Sequence, residues 1–184
     1  TAFVNPFAEI PTVDILCSFY NRDGEPFESS PEYILRKAHK VFQETTGLQM
    51  ETMGELEYYI IAEDEEAYSV PDQKGYHESR PFNKFTDYRV EAMQLIAQAG
   101  GMIKYGHSEV GNFTLDGKIY EQNEIEFLPT NIEDAADQLV IAKWIMRQLA
   151  YEYGVTLTFA PKITVGKAGS GMHVHCKFTK DGKS

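Results

Sequence analysis

Residues 113–127 read FTLDGKIYEQNEIEF, and this stretch sets the fold class. Asp116-Gly117 stands between Phe113-Thr114-Leu115 and Lys118-Ile119-Tyr120. A two-residue turn needs positive φ angles, which Asp-Gly tolerates, so the stretch predicts a hairpin of two antiparallel strands. Further runs rich in β-branched and aromatic residues occupy 13–20, 55–62, 102–110, 155–159 and 172–178, and several of them are expected to pair in one sheet. Asp23-Gly24 and Asp181-Gly182 mark similar turns.

Helical periodicity fills the gaps between these runs. Ser30-Pro31-Glu32 is a helix start, with Ile34, Leu35, Ala38, Val41 and Phe42 on one stripe and Gly47 as the stop. A second helix is expected over 86–99, ending at Gly100-Gly101, with Val90, Met93 and Ala97 aligned. A third begins at the capping residue Asn131, and Leu139, Ala142, Ile145, Met146 and Leu149 form its apolar face before Gly154. Trp144 belongs with that core. The strands and helices do not alternate strictly, which favours α+β, a mostly antiparallel sheet with helices packed on one face, over a doubly wound sheet.

The 184 residues, 42% hydrophobic and 12% aromatic, suffice for one sizeable core. We expect a single unit over 1–184. No apolar run approaches the roughly 20 residues that span a bilayer, and no secretion signal opens the chain; a cytoplasmic protein is expected. The net charge of −11 repels phosphate backbones and anionic membranes, so neither nucleic acid nor membrane is expected as a partner. Runs such as Glu63-Asp64-Glu65-Glu66 read as solvated surface. Cys17 and Cys176 lie in strand-like segments and are expected to be reduced core thiols.

Other acids sit differently. Glu55 and Glu57 flank Leu56 at what reads as the start of a strand, Glu109 closes the run 103–110, and Glu124 and Glu126 alternate with Ile125 and Phe127. Residues at i and i+2 of a strand share a face, so these carboxylates converge while the apolar residues between them face a core. Two carboxylates about 4 Å apart repel by about 4 kcal/mol at an effective dielectric near 20. A cation must offset that, or the acids must protonate. Gly169-Ser170-Gly171-Met172-His173-Val174-His175 is a glycine-rich turn entering a strand with two histidines on one face, and imidazole among carboxylates suits Mn2+ or Mg2+.

In this order Glu55-Leu56-Glu57, Gly75-Tyr76, His107-Ser108-Glu109-Val110, Gln122-Asn123-Glu124-Ile125 and Gly169 through His175 resemble the catalytic domain of the glutamine synthetase family, over nearly the whole chain. The resemblance implies an ATP-dependent glutamate–ammonia ligase that forms an acyl phosphate and amidates it. It implies a metal held by Glu57, Glu109 and Glu124, and a second held by Glu55 and His173. His175 is implied to meet the nucleotide phosphates, Tyr76 and Glu109 the ammonium, and the Gly169 carbonyl the amino group of the substrate amino acid. Mg2+ or Mn2+, ATP, glutamate or a similar acid, ammonia or an amine, and a homo-oligomeric full-length protein follow from it.

The chain is expected to be a piece of a longer ligase, without the family's N-terminal β-grasp domain and C-terminal part, and largely inactive by itself. It departs from the family at Lys167-Ala168, where Asp-Asn is common, at the Asp116-Gly117 hairpin, and at Lys177. A γ-glutamyl-amine ligase and a non-catalytic metal- or nucleotide-binding relative are the alternatives, with a two-metal hydrolase as a third class.

Overall fold

In the computed structural model, which describes residues 1–65 and 67–183, Asp116 and Gly117 take positive φ, 52° and 75°, and close the expected hairpin. In chain order the elements are β1 (Ala2–Val4), β2 (Val13–Ile15), α1 (Pro31–Thr46), β3 (Gln49–Glu63), α2 (Thr86–Gln98), β4 (Ile103–Leu115), β5 (Lys118–Phe127), β6 (Thr130–Asn131), α3 (Ile132–Glu152), β7 (Thr156–Thr158) and β8 (Met172–Thr179). Glu66, the last of the acids read as solvated surface, lies outside the described residues.

β3 is the axis of the sheet. Along one edge it pairs with β5 and β6, along the other with β8 and β7, all antiparallel, and β4 pairs with the outer edge of β5. The pleat then separates the two faces. Leu56, Tyr58 and Ile60 of β3 with Ile125 and Phe127 of β5 point one way, onto Tyr88, Ala92 and Ile96 of α2 and Ile141, Ala142, Ile145, Met146 and Leu149 of α3. All of these are buried, and full burial of one such aliphatic or aromatic side chain contributes about 1.5 to 3 kcal/mol. Trp144 packs at the margin against Phe3 and Phe7. The architecture is α+β with a mostly antiparallel sheet, as read from the sequence.

Six local expectations are corrected. The stripe read on α2 is one: Val90 and Ala97 are exposed, and Tyr88, Ala92 and Ile96 form the buried face. Of the run 13–20, only Val13–Ile15 forms a strand, and it pairs with β1 in a separate two-stranded sheet; the following residues bond to α1 instead, Phe19 N–H to Glu32 and Arg36 to Ser18. The stripe on α1 is not buried: Ile34 and Val41 are 55% and 54% exposed, because α1 meets α3 through the polar contacts of Arg36 and His39 with Glu133. Both cysteines are free and exposed, Cys17 beyond the end of β2 and Cys176 on β8, whose one strand partner among the described residues is β3. Glu55-Leu56-Glu57 sits in the middle of β3, not at its start. Glu109 likewise lies inside β4, which continues to Leu115.

One acid faces the helices. Phe85, the residue preceding α2, has no side-chain cap, and Glu121 of β5 supplies one: its carboxylate accepts from Lys84 N at 2.7 Å, Phe85 N at 3.1 Å and Asn83 Nδ2 at 2.6 Å. Glu121 is 1% exposed, and burial raises its carboxyl pKa while these bonds oppose the rise. Glu121→Ala removes the acceptor of the Lys84 and Phe85 N–H groups and is expected to destabilise the fold by about 2 kcal/mol, read as a lower urea midpoint.

A candidate metal centre on the polar face of the sheet

The face of the sheet away from the helices is organised in rungs, set by strand register. One runs His173 (β8), Glu55 (β3), Glu126 (β5), Tyr105 (β4). The next runs from Gly171, whose carbonyl accepts from Glu57 N–H, through Glu57 and Glu124 to His107. Directly opposed side chains of neighbouring strands lie about 4.5 to 5.5 Å apart at Cβ, so the acids and imidazoles meet. His173 Nδ1 is 3.2 Å from Glu55 Oε2 and 3.7 Å from Glu57 Oε1, and His175 Nε2 is 2.9 Å from Glu55 Oε1. On the other side His107 Nε2 is 2.9 Å from Glu124 Oε2, and its Nδ1 is 3.6 Å from Glu109 Oε1.

Glu109 arrives by a bulge. Register runs from Ser108 opposite Asn123 to Asn112 opposite Glu121, so Glu109, Val110 and Gly111 together oppose Gln122. Gln122 fills the space behind: its Nε2 donates to Glu57 Oε2 at 3.0 Å and to the Gly169 carbonyl at 2.8 Å, and its Oε1 accepts from Gly111 N–H. A Cβ on Gly111 would lie 1.9 Å from Tyr59 Oη and 2.5 Å from Gln122 Oε1, so the bulge closes only around glycine. The Gly171 N–H donates to Glu57 Oε2 as well, which ties the glycine-rich turn to β3.

Ligand atoms of Glu55, Glu124 and His173 all lie within 4.8 Å of one another, and so do those of His107, Glu109 and Glu124. Glu124 is common to both groups. Glu126, by contrast, is matched by Lys104 at 2.7 Å; burial would raise its pKa, but the bonds from Lys104 and Tyr105 outweigh it and the pKa falls. Among the described residues, Glu55, Glu57, Glu109 and Glu124 have no lysine or arginine ion-pair partner, only imidazoles. Burial first, and then the charges of Glu109, Glu57 and Glu55, push the Glu124 carboxyl up to about 8; burial and Glu57 raise Glu109 too. A carboxylate set of this kind, mixed with neutral imidazole, fits a hard to borderline divalent cation.

The other expected site residues are placed as follows. Tyr76 is exposed, with its ring edge-on to His107 at 5.6 Å. The Gly169 carbonyl is engaged by Gln122. Lys167 is held by Asp72 at 2.6 Å and Ala168 N–H by Gln73, while Lys177 pairs with Glu51.

A model of the glutamine synthetase catalytic domain matches residues 28–184. The chain belongs to the glutamine synthetase family. It is 32% identical to a glutamine synthetase of Methanosarcina mazei over 92% of this chain and 37% of that protein, and 31% identical to one from a Nostoc species over 100% of this chain and 44% of that protein. The chain therefore spans well under half the length of these relatives. In fold it is similar to the solved Plasmodium falciparum glutamine synthetase, with a TM-score of 0.84, 19% identity, and coverage of 99% of this chain and 40% of that one.

Within this glutamine synthetase family chain, the sequence reading missed His107 and Gln122 as parts of the site. His107 had a signal, since it precedes Glu109 by two on a strand and so shares its face, as Glu55 and Glu57 do. Gln122 had the same signal, since it precedes Glu124 by two on β5, but its bonds to Gly111, Glu57 and Gly169 depend on the bulge. A pH dependence follows from Glu124. Without cations the folded chain keeps its proton up to about pH 8, whereas an unfolded carboxyl releases it near 4.5. The folded state thus binds more protons between these values, and its stability falls as pH rises through that window. Urea midpoints of the metal-free chain are expected to drop from pH 5 to pH 8, and Glu124→Gln to flatten the drop.

Proposed function

We propose that this chain forms the cation-binding floor of an ATP-dependent ligase that joins glutamate to ammonia through an acyl phosphate. The observation that carries the reading is the quartet Glu55, Glu57, Glu109 and Glu124, without lysine or arginine partners among the described residues on one face of the sheet, in a chain whose family match covers that face. Glu57, Glu109 and Glu124 hold one divalent cation, Mg2+ or Mn2+, and Glu55 with His173 a second. Bound there, the cations offset the charge of the ATP phosphates and of the phosphoryl group in transfer.

The chain's own groups do the rest. His175, exposed on β8 beyond Glu55, faces the nucleotide phosphates. Glu109 and Tyr76 border the ammonium position, and Glu109, with its raised pKa, accepts a proton as ammonia attacks. The Gly169 carbonyl, already accepting from Gln122, has a second lone pair for the amino group of the substrate. The whole protein is a cytoplasmic homo-oligomer, and this chain alone binds metal with little turnover.

A second reading within the class, a γ-glutamyl-amine ligase, is favoured by Ala168, which puts a methyl group where the family commonly has an amide, and by the β4–β5 hairpin beside the bulge. Phosphate release from ATP by a full-length protein carrying this chain, with glutamate and either ammonium or organic amines, separates the two. Ammonium is expected to be preferred. Release with amines alone supports the second reading, and release with neither supports a non-catalytic relative. For the isolated chain, calorimetry with Mn2+ is expected to show binding that Glu124→Ala weakens at least about tenfold, as loss of a shared ligand should.

A further inference from the structure

The carboxylates of Glu109 and Glu124 have a nitrogen neighbour in His107, and the geometry of that neighbour is built rather than incidental. We propose that His107 Nε2 is itself a ligand of this cation and makes the site prefer a transition-type divalent ion, Mn2+, to Mg2+. The inference rests on the cation-binding reading above and goes beyond it, since neither of the two ligand sets proposed there includes His107.

The His107 ring is buried at 7% exposure and packed among aromatic rings. His77 stacks on it with centroids 4.5 Å apart and planes 18° from parallel, and Tyr105 stacks at 5.5 Å and 27°. Tyr76 closes the edge. His77 is fixed in turn by its N–H bond to the Ser108 carbonyl. The ring cannot rotate without displacing these neighbours.

Its tautomer is set by the backbone. Nδ1 lies 3.0 Å from the Ser108 carbonyl oxygen, which can only accept, so Nδ1 carries the proton and donates it there. Nε2 then presents a lone pair toward Glu124 Oε2 at 2.9 Å. Two cis ligands of an octahedral ion with bonds of about 2.1 Å are separated by about 3.0 Å. The 2.9 Å edge matches that, as does the 3.2 Å edge between His173 and Glu55. An orienting hydrogen bond on the far nitrogen is the usual support of a metal-binding imidazole. Glu126, 3.8 Å from Nε2, is already neutralised by Lys104 and does not compete. Imidazole nitrogen adds affinity for Mn2+ more than for Mg2+, which strongly prefers oxygen.

The test is Mn2+ electron paramagnetic resonance with detection of 14N coupling on the full 184-residue chain, together with Mn2+/Mg2+ competition titrations. In a His173→Ala/His175→Ala background, bound Mn2+ is expected to retain 14N coupling, and adding His107→Ala or the more conservative His107→Gln is expected to abolish it. In the otherwise wild-type chain either substitution is expected to lower the Mn2+ preference over Mg2+ about tenfold, with urea midpoints confirming that one of the two variants is folded. Coupling and preference unchanged by both substitutions overturn this inference alone. A wild-type chain that binds neither ion overturns the cation-binding reading and this inference with it.

Discussion

Mutual repulsion among carboxylates that strand register forces together is the constraint on which the rest of this structure depends. Glu57 and Glu124 are direct cross-strand partners, Glu55 and Glu126 are the next pair along, and the bulge in β4 adds Glu109. Like charges directly opposed on a sheet are destabilising, and among the described residues only Glu126 of these acids has a lysine to answer it. The apolar face works in the opposite sense: Leu56, Tyr58, Ile60, Ile125 and Phe127 lock the same strands onto α2 and α3. A one-residue slip would put the acids into that core and the core into water. The hydrophobic face thus holds the register that keeps the acids of the polar face opposed.

Gln122 converts that frustration into a shaped site. It is 1% exposed, and its one amide joins the bulge, the Glu57 carboxylate and the Gly169 carbonyl. A neutral amide can do this where a charged residue could not, because it adds no charge to a face already crowded with acids. Segment 73–77 seals the outer edge of β4, with N–H bonds from Gln73, Gly75 and His77 to the carbonyls of Asn112, Val110 and Ser108. A Cβ on Gly75 would meet the Glu109 carbonyl oxygen at 2.7 Å. The Gly-Tyr motif is therefore a piece of the bulge's scaffolding as well as the carrier of Tyr76.

Much of the sheet was legible in the chain because its signals are local. Asp116-Gly117 wrote the hairpin, alternation wrote the two faces of β3 and β5, and Asn131 with Glu133 and Asp134 wrote the start of α3, where the Asn131 side chain does accept from both N–H groups. The features that escaped depend on partners remote in sequence. The α1 stripe looks like a core face, yet Ile34 and Val41 stay exposed because α1 meets α3 through polar contacts. The separation of β1 and β2 from the main sheet was hidden for the same reason, as was the cap that Glu121 lends to α2 across 36 residues. In the site, the acids and His173 could be named from alternation and motif order. The clamped ring of His107 could not, since His77 stacks on it from a segment remote in sequence from β4.

The account stands or falls on whether that acidic face takes up cations where the rungs converge. Anomalous diffraction at the manganese edge from crystals of the chain grown with Mn2+ measures this directly. Two peaks are predicted on the polar face of β3 and β5, either side of Glu124, each with carboxylate oxygens at about 2.0 to 2.6 Å. Manganese found only elsewhere, or Glu55, Glu57, Glu109 and Glu124 ordered without it at saturating concentration, would contradict the account.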